Sequence, residues 1–464
     1  MVSFLKNPSA LSQVLIVAFV CFCCPGMFNA LTSITAGIAD DDIDYNGTCI
    51  LYAFFALFGL FAGGVVNAIG PKLTLFFGSF GYTLYAVSLL VMDNSLDKDT
   101  EKYADSGTNF FYAANALLGV GAGMLWAAQG QMCMAYPTTE TKGKYFSYFW
   151  IIFNLGACLG GFLTFGTNYD NHGKAATTST YILFLVLMVI GSLLSLVLVD
   201  PNTVVRNDGT MVTLEKNPNP LPEVVEVFKL FFDPKMLLLF PLFAYSNWFY
   251  QYQFGWNGAL FNARTKGFNS AFYWGAQMVG AFLIGKFLDR VGNKRTKAFQ
   301  SMAMIFLITM LMWGAAMWVQ ISFDVGGGAK KRKIDFMGEY QKEGDGSWFP
   351  KFLLYLLFGF NDAIVQVWSY WLMGQFSDDM LTLGRYAGYY KGIQSGMAAV
   401  AWKIGTYASV TWPARVGINW GLGTVGVIGA FLSVYFYLED KSAAEGYEGV
   451  ETPGEGKSSG MVLH

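Results

Sequence analysis

The sequence predicts an all-α membrane protein with twelve transmembrane helices in two pseudo-symmetric six-helix bundles. Hydrophobic residues make up 54% of the 464 positions and charged residues only 13%, whereas a soluble domain carries about a quarter charged residues. Apolar runs that reach the roughly 20 residues needed to cross a bilayer recur along the chain. A ten-residue pattern also closes one such run in each half, which indicates a duplicated architecture.

Twelve apolar stretches are candidates for spanning helices, six before residue 200 and six after residue 235. They are residues 11–36, 49–69, 73–92, 109–134, 145–167, 180–199, 236–260, 269–289, 298–320, 351–373, 387–411 and 418–438. The predicted domains are an N-terminal bundle, 1–199; a cytoplasmic linker with a short amphipathic helix, 200–235; a C-terminal bundle, 236–440; and a disordered cytoplasmic tail, 441–464, rich in Gly, Glu and Ser.

The repeated pattern runs from Gly63 to Lys72 and again from Gly285 to Lys294. A cation at an inner span end is expected in any membrane protein, but the shared glycines favour close helix approach and a tight turn. We interpret the two copies as candidate conformational latches, formed by Gly63, Asn67, Gly70, Gly285, Asp289, Arg290 and Gly292. Because the first copy has Asn67 opposite Asp289, a charge-based latch is expected in the C-terminal half.

The charges of the short loops predict that both termini are cytoplasmic. The loop after the first span is acidic and contains a glycosylation sequon at Asn46, which points outward, whereas lysines follow spans 2, 4 and 8. One loop disagrees, because Lys330 to Lys333 lie on the predicted outer side. Reversing the orientation would move three basic turns outward to accommodate that single loop.

Charged side chains at the bilayer centre cost at least about 2.5 kcal/mol each and usually face a cavity and a partner. Asp362, in the tenth span, is a carboxylate near mid-span, and Lys403 in the eleventh is predicted to lie at a similar depth. These two residues are expected to form a buried ion pair. The alternatives are a structural pair, a Lys403 that snorkels outward instead, and a proton or cation site in which Lys403 tunes the charge of Asp362.

The seventh span is unusually polar. Ser246, Tyr250, Gln253 and Asn257 are spaced to share one helix face. Such groups suit a cavity that binds a neutral or zwitterionic solute, but hydrogen bonds between helices are the alternative. Further candidates for the solute pathway are Asn247 and Gln251 on an adjacent row of this span, Asn29, Asn115, Trp126 and Gln129 in the N-terminal half, and Gln366 one turn from Asp362. Gln251 also follows Asn29 by the repeat offset of 222 residues.

Several functional classes have no support in the sequence. The net charge of −2 does not favour nucleic-acid binding, and the chain has only two histidines. Cys21 and Cys24 have Cys-x-x-Cys spacing but lie inside a predicted span with no second pair of ligands, no phosphate-binding Gly-x-x-x-x-Gly-Lys-Ser/Thr motif is present, and no nucleophile is paired with a base. We therefore expect no enzyme activity, no cofactor and no metal site.

The motif from Gly285 to Arg295 resembles the loop motif of the major facilitator superfamily, which lies between spans 2 and 3 and between spans 8 and 9. The segments from Cys24 to Leu31, Leu51 to Phe54 and Ile69 to Lys72 are more narrowly similar to the Unc-93-like branch, particularly its fungal members. The resemblance implies that spans 1, 4, 7 and 10 line a central cavity. It also implies two possible roles, because some animal relatives are channel accessory subunits or trafficking partners of receptors.

Two hypotheses follow. The first is a secondary transporter that moves a small solute or ion by alternating access, with its site at the midplane. The second is a non-transporting partner that chaperones or regulates another membrane protein. Either would be a multi-pass protein of the plasma membrane or an endomembrane, and its certain partner is the lipid bilayer.

Overall fold

We describe a computed structural model of the chain over residues 8–35, 41–97, 102–167, 169, 178–214, 220–323, 333–337, 348–407 and 409–439. Within these residues the fold is helical, apart from a two-residue antiparallel hairpin that pairs Leu96–Asp97 with Lys102–Tyr103. The predicted disordered tail, 441–464, lies outside the described residues.

The helices follow one another along the chain. They are α1 (Ala10–Cys21), α2 (Met27–Thr35), α3 (Asp41–Ile69), α4 (Pro71–Ser95), α5 (Asp105–Ala135), α6 (Lys142–Thr167), α7 (Thr178–Leu194), α8 (Pro220–Leu230), α9 (Pro234–Leu260), α10 (Ala263–Leu288), α11 (Lys294–Phe323), α12 (Trp348–Gln375), α13 (Met380–Gly405) and α14 (Trp412–Tyr437). A π-helical turn, Phe22–Gly26, joins α1 to α2.

Eight of the described helices are long and apolar enough to cross a membrane. Their outward surfaces carry large apolar side chains, such as Leu57, Phe77 and Leu311, which are 53–62% exposed. That pattern is typical of a surface that faces lipid rather than water. The predicted count of twelve spans also includes α7, which is shorter, and α9, α10 and α13, which are more polar; this count stays a prediction.

The π-helical turn in the first segment has a local cause in Pro25. Proline has no backbone N–H and its ring clashes with the preceding turn, so a helix that contains it bends or widens. The next residue, Gly26, lies against α6: a Cβ there would be 2.9 Å from the carbonyl oxygen of Phe153. The distorted turn therefore brings the first segment close to α6.

Two antiparallel helix pairs run through the molecule, and glycines form both contacts. In the pair of α3 with α13, a Cβ on Gly63 would lie 2.6 Å from the carbonyl oxygen of Gly384. In the pair of α6 with α10, a Cβ on Gly285 would lie 2.6 Å from the carbonyl oxygen of Gly143. Gly63 and Gly285 are the first glycines of the two copies of the repeated pattern, so each copy has the predicted role in close approach.

The amphipathic run in the predicted linker forms α8. Its Glu223 side chain is 2% exposed, whereas Val225 and Phe228 are more than half exposed. The helix lies against the α3 and α13 pair, because Glu223 hydrogen-bonds Asn67 of α3 and Arg385 of α13. The docked face of the helix therefore combines the buried carboxylate of Glu223 with the buried apolar side chains of Val227 and Leu230.

The basic segment that conflicted with the predicted orientation is described only from Lys333 onward. Its ammonium donates to the carbonyl oxygens of Gly258 and Ala259, at 2.7 Å each. These carbonyls belong to the last turn of α9, where cations are favourable. Helix-end capping therefore accounts for the position of Lys333 on whichever side of the membrane it lies.

The neighbouring Asp335 fixes the same loop to α10. It pairs with the guanidinium of Arg264, which also donates to the backbone oxygen of Tyr169 at 3.2 Å. Burial alone would raise the pKa of Asp335, but hydrogen bonds from Arg264 and from the backbone of Met337 outweigh it and hold this pKa below its usual value. The carboxylate therefore stays charged at neutral pH and holds together loops that follow α6 and α11.

The glycine contact between α6 and α10 gives a direct test of the packing. We expect Gly285→Ala to lower the free energy of unfolding by about 1–3 kcal/mol, because the added methyl group overpacks a backbone contact. The matched control is Gly275→Ala in the same helix, where a Cβ meets nothing within 4 Å. The measurement is the thermal melting of detergent-purified protein, and equal melting temperatures for the two variants would contradict the close approach.

Candidate functional site

A cavity of about 100 Å³ lies between the helices of the two halves of the chain. It has room for several water molecules but is well below the roughly 300–1,000 Å³ of pockets for drug-sized ligands. Five of the predicted pathway residues line it, namely Asn29, Trp126, Asn247, Tyr250 and Gln366. The rest of its wall is largely aromatic and aliphatic and includes Pro25, Phe28, Leu51, Tyr52, Phe55, Phe153 and Trp274.

Asp362 is fully buried behind this wall and accepts four hydrogen bonds. Its Oδ2 receives Gln277 Nε2 at 2.7 Å, the hydroxyl of Tyr250 at 2.8 Å and that of Tyr273 at 3.2 Å. Its Oδ1 receives Gln366 Nε2 at 2.6 Å. These donors come from α9, α10 and α12, so one carboxylate joins three helices. A buried carboxylate needs such donors because desolvation of an ion is costly.

A fourth helix reaches Asp362 through one intermediate side chain. Trp150 of α6 donates its indole N–H to Gln277 Oε1 at 2.9 Å, and Gln277 donates to Asp362. The hydroxyl of Tyr273 lies 2.9 Å from Gln253 Oε1 as well as 3.2 Å from Asp362, so its single proton is shared between the two acceptors. The carboxylate is therefore the centre of a network that includes the α6 and α10 pair.

The predicted ion pair between Asp362 and Lys403 is wrong. Lys403 is exposed and lies in the last turn of α13, 5.9 Å from the ring of Tyr407. The predicted depth of Lys403 depends on a span that ends at residue 411, but α13 ends at Gly405. Lys403 is thus at the helix end. The buried cation of this helix is Lys391, which lies about 18 Å from Lys403 along the helix axis at 1.5 Å per residue.

Lys391 lines the cavity and is 4% exposed. Its ammonium lies 2.7 Å from Gln394 Oε1 and 3.5 Å from Gln366 Oε1. It also lies over the ring of Trp126, 4.4 Å from the centroid, an arrangement in which the ring face attracts a cation. Gln366 therefore bridges the two buried charges, because its amide donates to Asp362 and its oxygen faces Lys391.

The polar face of α9 divides between the cavity and its neighbouring helices. Tyr250 and its neighbour Asn247 line the cavity. Ser246 instead accepts a hydrogen bond from Gln394 of α13 at 2.9 Å, and Asn257 Oδ1 accepts one from Asn269 of α10 at 3.1 Å. With Gln253 already bonded to Tyr273, the helix-to-helix interpretation holds for most of that face.

Three other candidates lie away from the cavity wall. Asn115 donates to the carbonyl oxygen of Phe111 in its own helix, and Gln129 donates to the sulfur of Cys133. Gln251 packs against Gly405, where it leaves no space for a Cβ. Asn29 and Gln251 therefore do not occupy equivalent positions on the cavity, so the match in their numbering has no counterpart in the site.

The second copy of the repeated pattern makes the predicted contact through Asp289. The backbone N–H groups of Gly143 and Lys144 donate to its carboxylate at 2.8 and 2.5 Å. These N–H groups open α6, where no partner within the helix exists and a negative charge is favourable. Arg290 instead lies over Phe287 of its own segment, 4.1 Å from the ring centroid, so the contact with α6 depends on Asp289.

The first copy also makes such a contact, and the expectation that it belongs to the C-terminal half alone is wrong. Asn67 donates to Glu223 Oε2 at 3.0 Å and to the carbonyl oxygen of Leu381 at 3.3 Å, while its own oxygen accepts from Gln131 at 2.8 Å. Glu223 in turn pairs with Arg385 at 2.6 Å. The carboxylate that Asn67 lacks is thus supplied by the linker helix α8.

The last glycine of each copy, Gly70 or Gly292, forms the turn that follows. Gly70 has φ of 85° and Gly292 has φ of 136°, values that side-chain-bearing residues rarely adopt. The repeated pattern therefore combines one glycine for packing, one polar residue for a contact with another helix, and one glycine for the turn.

Comparison with solved structures identifies the fold. A crystal structure of the major facilitator superfamily transporter FucP in its outward conformation matches with a TM-score of 0.62 and 10% sequence identity, covering 91% of this chain and 98% of that one. The apolar helices and this likeness show a multi-pass membrane protein with the major facilitator fold.

The sequence comparisons narrow the class to one family. The profile described as "Ion channel regulatory protein UNC-93" matches residues 38–323. UNC93-like protein 1 of Arabidopsis thaliana is 40% identical over 93% of this chain and 91% of its own length. An UNC93-like protein of Schizosaccharomyces pombe is 37% identical over 86% of this chain and 77% of its length. The chain belongs to the UNC-93 family.

The docking of α8 can be tested through Glu223. We expect Glu223→Gln to destabilise the fold by about 1.5–3 kcal/mol, because the buried charge is lost and one of the two oxygens that accept from Asn67 and Arg385 becomes an amide donor. The control is Glu226→Gln, since that side chain is 37% exposed and pairs with the exposed Lys229. Melting temperatures in detergent measure both variants, and an equal or larger effect at Glu226 would contradict the role of Glu223.

Proposed function

We propose that this protein is a secondary transporter that moves a small solute or ion by alternating access. The observation that carries the proposal is the central cavity, with Lys391 on its wall and Asp362 directly behind it. Ionisable groups inside a membrane protein are costly and usually mark a solute or proton pathway. The major facilitator fold supports the same interpretation, although a fold alone does not assign a function.

The two glycine-lined helix pairs support the alternating part of the proposal. Each pair joins a helix of the predicted N-terminal bundle, 1–199, to one of the predicted C-terminal bundle, 236–440. Small residues allow such helices to slide or rock against each other. The contacts of Asp289 and of Asn67 with Glu223 would close one end of the pathway and release when that end opens. The linker, 200–235, takes part through α8.

Asp362 is proposed as the coupling residue. It connects α9, α10 and α12 directly and α6 through Gln277, so its charge affects helices of both halves. Protonation would remove the need for some of its donors and would loosen that network. In the predicted orientation the latch contacts and both termini are cytoplasmic, and Asn46, an exposed residue near the start of α3, is a candidate for glycosylation.

A second candidate function has its own support, since the matching family profile is described as an ion channel regulatory protein. In that role the protein would bind another membrane protein through its lipid-facing surface. The exposed face of α11 offers such a surface, because Leu307, Leu311 and Trp318 are 59–62% exposed.

Proton coupling can be tested once a thermal-shift screen has identified a stabilising solute. We expect Asp362→Asn to abolish the dependence of proteoliposome uptake on an imposed pH gradient, because the variant cannot release a proton. The control is Asp378→Asn, whose carboxylate is 75% exposed at the end of α12. Uptake by Asp362→Asn that still follows the gradient would exclude this coupling role.

The two candidate functions predict opposite patterns for a cavity variant and a surface variant. Tyr250→Phe removes a hydrogen bond to a buried charge, so transport predicts an uptake loss of about tenfold to a hundredfold. Leu311→Ala on the lipid-facing surface should leave uptake unchanged. A partner role predicts the reverse, with binding of the partner lost in Leu311→Ala and kept in Tyr250→Phe.

A further inference from the structure

We infer that the cavity binds a small organic monocarboxylate with an apolar body, and that Lys391 pairs with its carboxylate. This inference rests on the proposed function, since it names the class of solute for the same site. Three features carry it: which of the two buried charges faces the cavity, the unused hydrogen-bonding capacity of the ammonium, and the composition of the remaining wall.

The cavity presents a positive charge and conceals the negative one. Lys391 is part of the wall, whereas Asp362 is fully buried behind Tyr250 and Gln366. The oxygens of Asp362 are already engaged by four donors. A solute in the cavity therefore meets an ammonium directly and a carboxylate only through the side chains that cover it, which favours an anion over a cation.

The ammonium of Lys391 has capacity for a further acceptor. It carries three N–H donors, and within the described residues its acceptors are Gln394 at 2.7 Å and, at a long 3.5 Å, Gln366. The rings of Trp126, Tyr390 and Tyr370 lie 4.4–5.5 Å from it. A carboxylate oxygen would supply the charge-assisted hydrogen bond that aromatic faces do not provide.

The remaining wall specifies the rest of the solute. Aromatic and aliphatic side chains dominate it, with the amides of Asn29, Asn247 and Gln394 as further polar groups. An apolar body would replace water on these surfaces. A second negative charge is disfavoured, because the site has one cation and Asp362 lies close behind it. The volume of about 100 Å³ limits the solute to one small ring or short chain that carries the carboxylate.

Lys391 also lies where binding can affect the helix pair. It stands between Gly388 and Gly392 of α13, and these glycines contact Gly59 and Leu60 of α3. A solute that draws the ammonium toward the cavity therefore acts on the helix that slides against α3.

The test uses benzoate as the probe and full-length protein in detergent, with binding followed by tryptophan fluorescence or calorimetry. We expect saturable benzoate binding, and binding of benzamide and of benzylammonium weaker by about tenfold to a hundredfold. Lys391→Gln should lose the preference for benzoate over benzamide, and Lys391→Arg should keep it. The control Lys403→Gln changes an exposed lysine of the same helix and should behave like the wild type.

Equal affinity of the wild type for benzoate and benzamide would overturn the inference, and that comparison needs no variant to fold. Competition by chloride that equals competition by the same concentration of unlabelled benzoate would also overturn the inference, since the wall would then select no apolar body. Uptake of benzoate into proteoliposomes separates this inference from the proposed function. Benzoate binding without uptake supports the monocarboxylate site and contradicts transport of this solute, whereas uptake of another solute without benzoate binding does the opposite.

Discussion

The buried pair of charges at Asp362 and Lys391 is the constraint on which the rest of the structure depends. Neither charge can be left without partners in a low-dielectric interior. The carboxylate is satisfied by side chains from α9, α10 and α12, and the ammonium by amides and aromatic rings around the cavity. Gln366 joins the two because it donates to one and faces the other. This requirement explains why the helices around the cavity carry polar groups and why α9, α10 and α13 are less apolar than the rest.

The same helices meet across the two halves through backbone contacts that only glycine permits. Gly63 on Gly384 and Gly285 on Gly143 bring α3 to α13 and α6 to α10. At the end of each pair a polar contact holds the helices together, through Asp289 in one and through Asn67 with Glu223 in the other. The two copies of the repeated pattern therefore occupy equivalent positions but use different side chains. The second copy contains its own carboxylate, Asp289, whereas the linker helix supplies the carboxylate to the first copy. The polar contact of the first copy therefore depends on the linker helix α8, whereas that of the second copy does not.

The sequence predicts the membrane class, the positions of most helices and the roles of the paired glycines, because apolar length and glycine spacing are local properties. It also predicts Asp362 as the buried carboxylate. It does not identify Lys391, Gln277 or Tyr273, since their inward direction depends on the rotation of α10 and α13 about their axes. Lys391 lies only four residues after the predicted start of the eleventh span, a position typical of a lysine at the membrane interface. In the structure α13 begins at Met380, so Lys391 lies deeper in the helix. Because the predicted helix is displaced toward the C-terminus at both ends, Lys403 is predicted as the buried cation in place of Lys391. The contribution of Glu223 depends on where the linker helix docks, which its amphipathic pattern does not specify.

Alternating access requires the two halves of the molecule to rock about the charged cavity. Pulsed electron resonance on two doubly spin-labelled proteins tests it most directly in lipid nanodiscs. One pair, Glu140 and Val291, reports on the end that holds the latch contacts, and the other, Asp105 and Tyr407, reports on the opposite end; all four residues are exposed. Such rocking predicts two distance populations in each labelled protein. When pH is changed or a solute is added, the longer distance should become more populated at one end and less populated at the other. A single distance distribution at both ends that does not change under any of these conditions would contradict it.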